Sequence, residues 1–261
     1  MDIVLGDLVK ETLRRFDIRI TRHGRYQELE QDSRASRYIA LFMELPRRQK
    51  AQLLNTWRRS NSQLGQDMFV LSELDFKTNG YFVEFGAADG IDLSNTYLLE
   101  KDFGWDGIIV EPARRWHQKL AKNRSCHIDT NCVWRESDAT LDFNENHFAE
   151  LSTIDSHSPS HNSEQGRKEG KKYSVRTISL ADLLGKYNAP TQIDYLSIDT
   201  EGSEFEILEK FDFNKYHFSV ITCEHNFSPR RKTIFSLLTK NGYVRKYDEV
   251  SYFDDWYVKA R

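Results

Sequence analysis

The chain has 261 residues, enough to bury a substantial core as one large domain or as a domain with an extension. Hydrophobic residues make up 39% and charged residues 30%, and the formal net charge of −3 speaks against non-specific nucleic-acid binding, which needs a surplus of Lys and Arg. No run of about 18 apolar residues offers a membrane span, and Cys126, Cys132 and Cys223, odd in number and without a CxxC pair, read as reduced thiols in a cytoplasmic protein.

In chain order, "MDIVLGDLVKETLRRFDIRI" carries acids among its first residues and no small-residue cleavage site, so a signal peptide is not expected. Val4, Leu5, Leu8, Val9, Leu13 and Phe16 recur at helical spacing. Such a helix packs on the domain or on a second subunit of a homo-oligomer; a peripheral membrane contact is the alternative, favoured by Arg14, Arg15, Arg19, Arg22 and Arg25. A second amphipathic stretch, "SRYIALFMELPRRQKAQLLNTWRRS", is interrupted at Pro46. Residues 1–60 are therefore predicted to form a helical extension and residues 61–261 the main domain.

Beyond it, "YFVEFG" (81–86), "GIIVEP" (107–112), "IDYLSID" (193–199) and "FSVITCEH" (218–225) are short apolar runs of the kind that form buried parallel strands. Between them lie the helical segments "NTYLLEKDF", "RRWHQKLAKN", "SLADLLGKYN", "SEFEILEKF" and "RKTIFSLLTKNG". The alternation predicts an α/β fold, an open and mostly parallel sheet with helices on both faces. The tail "GYVRKYDEVSYFDDWYVKA" predicts a closing antiparallel pair. Residues 155–174 are polar and without periodicity and read as a loop, either a lid or a surface insertion.

In an open α/β sheet, ligands bind outside the carboxyl ends of the strands. "FGAADG" sits at such an end, with Gly86 placed to turn the backbone and Gly90 to let the next segment pack close. Its pattern is not the GxGxxG of dinucleotide sites, and Glu84 and Asp89 would repel a pyrophosphate. Glu111, 21 residues past Gly90 at the end of the next strand, is positioned to accept both hydroxyls of a ribose. A glycine turn after a strand is common and a strand-end Glu can cap a helix; it is the pair in register that suits S-adenosylmethionine, an adenosine with a cationic sulfonium and no phosphate.

From "SQLGQDMFV" to "DDWYVK" the chain resembles the FkbM family of S-adenosylmethionine-dependent methyltransferases, the match being carried by "GYFVEFGAADGIDLSNTYLLEKDFGWDGIIVEP" and "IDYLSIDTEGSEFEIL". The resemblance implies a Rossmann-like class I methyltransferase sheet and methylation of a hydroxyl, on a sugar, a glycan precursor or a natural-product scaffold. It also implies that the first loop, with Glu84, Phe85, Gly86, Ala87, Asp89 and Gly90, holds the methionine portion, and that Glu111 and Pro112 hold the ribose. Ser94, Asn95 and Thr96 open the next helix, where they bond the ligand carboxylate or serve as N-caps. Cys132, in "NCVW" at the predicted third-strand end, is placed against adenine.

Asp199 ends one later strand, with Glu201, Glu204 and Glu206 close behind, and Glu224, His225 and Asn226 end another. Glu204 and Glu206 open a helix, where acids complement the dipole. Methylation of an alcohol requires a group that takes its proton. His225 is the first candidate base by its ordinary pKa, with Asp199, Glu224 and Glu201 beside it. Mg²⁺ on Asp199, Glu224 and Asn226 is the alternative. Two rival functions stay open: a nicotinamide-dependent oxidoreductase, and a non-catalytic methyltransferase-like binding module.

Overall fold

The computed structural model describes residues 39–145, 153–154 and 170–260. Residues 1–38, with the first predicted helix, and residues 155–169 of the predicted loop lie outside them. The first half holds α1 (Arg47–Thr56), α2 (Gln66–Glu73), β1 (Tyr81–Phe85), α3 (Tyr97–Phe103), β2 (Asp106–Val110), α4 (His117–Asn123) and β3 (His127–Asp129). Four strands and a helix follow: β4 (Cys132–Trp134), β5 (Thr140–Glu145), β6 (Thr153–Ile154), β7 (Lys171–Ser179) and α5 (Leu180–Lys186). The chain then runs through β8 (Gln192–Ile198), α6 (Glu204–Glu209), β9 (His217–Glu224), α7 (Arg230–Lys240), β10 (Tyr243–Lys246) and β11 (Asp254–Lys259).

Seven strands form one sheet in the order β10-β11-β9-β8-β1-β2-β3. From β3 to β9 every neighbouring pair is parallel, whereas β11 runs antiparallel to both β9 and β10. Successive side chains of a strand point to opposite faces, and β1 shows the consequence. Phe82 joins one core with helices α1 to α4, while Val83 and Phe85 join another with α5 to α7. Burial on both faces is why these strands read as continuous apolar runs.

Leu41, Leu45 and Leu53 share the first of those cores with Met68, Phe69 and Leu71 of α2. Gln49 Nε2 adds a hydrogen bond to the Ser72 carbonyl at 2.8 Å. Pro46 stands at the N-cap of α1, so the predicted break falls there. Among the described residues no helix is long and apolar enough to cross a membrane.

Two expectations are corrected. The third strand of the main sheet is β3, ending at Asp129; Cys132 instead begins β4, in a smaller sheet of order β4-β7-β5-β6. Residues 171–174, read as the end of a loop, are extended in β7 and pair with β5, Lys171 opposite Glu145 and Ser174 opposite Asp142. In the first half of β7 only Tyr173 is even partly buried, so the run lacks the apolar alternation by which a strand is recognised.

Candidate functional site

A cavity of about 240 Å³ opens at the carboxyl ends of β1, β2, β8 and β9, where the strand order reverses between β1 and β8. Six carboxylates line it: Glu84, Asp92, Glu111, Asp199, Glu201 and Glu224. Among the described residues of the lining there is no Lys, Arg or His.

The glycine loop owes its shape to close backbone approach. Gly86 has φ +77°, and a Cβ there would sit 2.1 Å from the Asp199 carbonyl oxygen. Gly90 has φ +82° and faces the side chains of Leu120 and Arg124. Asp89 shapes the loop from within, its Oδ1 accepting from the N–H of Ile91 at 2.9 Å and of Asp92 at 3.0 Å. Ala87 is buried in the core, and its neighbour Ala88 lines the cavity in its place.

Glu84 reaches the lining, but internal donors surround its carboxylate. Ser94 Oγ donates at 3.0 Å, the Asn95 N–H at 2.7 Å and Thr96 Oγ1 at 2.5 Å, and Arg124 Nη1 lies 3.5 Å away. Ser94 and Thr96 thus hold Glu84 and do not themselves line the cavity. Asn95 does, donating from Nδ2 to Ser197 Oγ at 2.9 Å, while its Oδ1 has no hydrogen-bond partner among the described residues.

Glu111 joins the ends of two strands. Its Oε2 accepts from the Ala88 N–H and its Oε1 from the Ala113 N–H, both at 2.8 Å. Burial pushes its carboxyl up to about 7 in spite of these donors, and Asp199 and Glu145 add to the rise. Beside it Phe85, Val110, Pro112, Cys132, Val133 and Phe143 make an apolar wall. Burial pushes the Cys132 thiol up to about 12, so it packs as a small apolar group.

Across the cleft, Asp199, Glu201 and Glu224 each place a carboxylate oxygen within 4.8 Å of the others. Burial raises Asp199 to about 6. Glu224 is raised well above its ordinary value by burial first, then by Asp199 and Glu201. Two adjacent carboxylates cannot both ionise freely, so the pair holds a proton above the ordinary carboxylate range. Register extends the row, since Glu224 stands opposite Asp254 of β11. A divalent cation would take the three carboxylates Asp199, Glu201 and Glu224; Asn226, expected as a ligand, turns its Nδ2 toward Glu201 Oε2 at 3.4 Å.

His225 lies elsewhere. Alternation along β9 sends Glu224 into the cleft and the following residue to the opposite face. Its Nδ1 accepts from the Phe227 N–H at 3.0 Å, its Nε2 is 3.8 Å from Asp255, and burial lowers its pKa. Glu204 accepts from the N–H groups of Thr200 at 3.1 Å and Gly202 at 2.9 Å, closing the start of α6, and Glu206 pairs with Arg230. Sequence reasoning missed Gln63, Asp92, Leu93, Phe143, Thr200 and Ser203, which also line the cavity. Asp92 and Leu93 follow the glycine loop directly and were within reach; Phe143 comes from the small sheet, for which no signal was available.

The raised acids set a pH dependence. Glu111, Asp199, Glu224 and Asp254 all bind protons more tightly in the folded chain than in the unfolded one. Their contribution to stability is complete below the ordinary carboxylate range and is lost as pH rises through about 6 and then about 7. Calorimetry of the protein alone should show the melting temperature falling by roughly 5 °C between about pH 5 and pH 8. A melting temperature that climbs across that window would contradict the assignment.

The strand order, the single antiparallel strand beside the sheet edge and the acidic cleft at the reversal define a class I methyltransferase fold. The family described as Methyltransferase FkbM domain matches residues 84–255, more than half of the chain, and the protein belongs to that family. Among solved structures, the methyltransferase FkbM from Methylobacillus flagellatus KT is similar at 12% identity and a TM-score of 0.45, over 86% of this chain and 58% of that one. The precorrin-6y C5,15-methyltransferase from Geobacter metallireducens GS-15 is similar at 11% identity and a TM-score of 0.41, over 74% of this chain and 87% of that one. No curated protein matches the chain at the level of sequence.

Proposed function

We propose that the protein is an S-adenosylmethionine-dependent O-methyltransferase acting on a hydroxyl of a sugar, glycan precursor or glycosylated metabolite, with residues 61–261 as the catalytic unit. The observation that carries this reading is the lining of six carboxylates with no basic residue among the described residues. A dinucleotide would bring two phosphates against that charge, whereas a sulfonium with an ammonium group is attracted by it. The residues fit such a donor in two further respects. Glu111 lines the cavity beside an apolar wall, which supports its gripping a ribose next to a base, and Asn95 Oδ1 is an acceptor without a partner among the described residues.

When bound, the donor supplies an electrophilic methyl group, and the chain must hold the acceptor oxygen and receive its proton. Asp199, ionised above about pH 6, is placed to take that proton. Glu224, raised by burial and by Asp199 and Glu201, shares a proton with Asp199 as a pair. Both side chains line the cavity, which His225 does not, so the carboxylates replace the imidazole as first candidates.

Titration calorimetry with S-adenosylhomocysteine and with NADH, on the native protein and on Glu111→Gln, tests the donor assignment. S-adenosylhomocysteine should bind and NADH should not. The amide should weaken binding by about 10- to 100-fold, because it puts a donor where Glu111 accepts, and a buried polar group left unpaired costs roughly 1–3 kcal/mol. Preference for NADH, or affinity untouched in the variant, would overturn the assignment.

A further inference from the structure

Beyond the donor cleft, the rim carries an aromatic ladder. Phe227 is 62% exposed and Tyr252 55%, although the core is well packed. Phe227 meets Tyr252 edge-on with ring centroids 5.3 Å apart, and Tyr252 meets Phe253 at 5.3 Å. His225 backs the ladder from below, 5.5 Å from Phe227. The ladder is continuous with the cavity, because Phe253 belongs to both and Asn226, next to Phe227, lines the cavity.

The backbone beneath it is unusual. Asn226, Phe227 and Tyr252 have φ of +43°, +55° and +57°. Asn tolerates the left-handed region, whereas bulky aromatic residues rarely adopt it. Hydrogen bonds from the N–H of His225 at 2.9 Å and of Asn226 at 3.2 Å, both to the Phe253 carbonyl, fasten the two loops together. Neither exposure to water nor a left-handed backbone favours a large ring, and residues held that way concentrate where a ligand is met.

We propose that Phe227, Tyr252 and Phe253 form the acceptor subsite, and that it takes an uncharged, polyhydroxylated saturated ring. This rests on the methyltransferase reading above and specifies its substrate. The face of an aromatic ring is electron-rich and attracts the slightly positive C–H bonds on the flat side of a sugar. A ring lying on the ladder turns its hydroxyl edge toward Asp199, Glu201 and Glu224. A phosphate or carboxylate beside the reacting hydroxyl would be pressed against those acids, so charged acceptors are turned away.

Saturation-transfer NMR on the full chain loaded with S-adenosylhomocysteine tests this, using methyl β-D-glucopyranoside and its phosphate ester as probes. Ring protons of the neutral glycoside should receive saturation and those of the phosphate ester should not. Phe227→Asn and Tyr252→Asn keep a residue suited to the left-handed backbone while removing the ring. Each should weaken the glycoside signal about fivefold, the scale of one aromatic contact, and Phe227→Tyr should restore it. S-adenosylhomocysteine affinity should stay within about twofold in every variant, since the ring positions carry no donor contact. Signals undiminished in both Asn variants, a phosphate ester that competes equally, or no signal from a protein that binds S-adenosylhomocysteine would each overturn the subsite. A native protein that fails to bind S-adenosylhomocysteine would fell the donor reading instead.

Discussion

Gly86→Ala is expected to cost about 4 kcal/mol or more and to abolish binding of S-adenosylhomocysteine. Two penalties coincide there. The residue has φ +77°, and an added Cβ would lie 2.1 Å from the carbonyl oxygen of Asp199. That oxygen belongs to backbone and cannot swing away. Phe85 and Ile198, one residue earlier on each strand, are partners in the parallel ladder. Relief therefore means prising β1 from β8 where the cavity opens, which displaces Asp199 as well. Gly90 offers the comparison, because the atoms its Cβ would meet are Leu120 Cδ1 at 2.6 Å and Arg124 Cγ at 2.7 Å. Leu120 and Arg124 are buried, but side chains shift at lower cost than paired strand backbone, so Gly90→Ala should cost less, about 1–3 kcal/mol. Gly185, in α5 with nothing within 4 Å, is the control; Ala there should stabilise by about 0.5–1 kcal/mol. Thermal denaturation of the three variants ranks them, and a Gly86→Ala protein that melts beside the native one would refute the argument.

The parts of the fold that could be read from the chain are those governed by local rules. Burial on both faces makes "YFVEF" and "LSI" mainly apolar runs, and in the loop after β1 glycine marks two points where a Cβ has no room. Position at a strand end is likewise a local property, which is why Glu111, Asp199, Glu201 and Glu224 fall together at the cavity as expected. Long-range partners decided the rest. Glu84 sits at a strand end like the others, yet its oxygens are claimed by residues 94–96 and by Arg124, about 10 to 40 positions away. His225 differs from Glu224 by one residue, and the alternation of a strand turns that into opposite faces. The small sheet of β4 to β7 was not legible because β4 and β6 are very short and β5 and β7 carry mostly polar residues without clear alternation. That sheet nevertheless supplies Phe143 to the cavity wall.

Arg124→Met should destabilise the protein by roughly 3–5 kcal/mol, the scale for removing one partner of a buried ionic network. The Arg124 side chain has no solvent exposure. Its Nε donates to Glu100 at 2.6 Å, Nη1 to the Gly90 carbonyl and to Ser94 Oγ, both at 3.1 Å, and Nη2 to Thr96 Oγ1 at 2.8 Å. Burial alone would raise the Glu100 carboxyl; Arg124, Lys101 and the Ser125 N–H together hold it below its ordinary value. Methionine fills a similar volume but leaves Glu84 buried without a cation and Glu100 with Lys101 alone. The loss should shrink at acid pH, where Glu100 takes up a proton, and adding Glu84→Gln to Arg124→Met should recover part of it. The same pair of variants decides what the acid of the first loop is for. As a strut, Glu84→Gln lowers the melting temperature and changes S-adenosylhomocysteine affinity less than about threefold, because its oxygens are already saturated by internal donors. A melting temperature unchanged by Glu84→Gln, with affinity falling more than about tenfold, would make it a ligand of the donor and undo the strut.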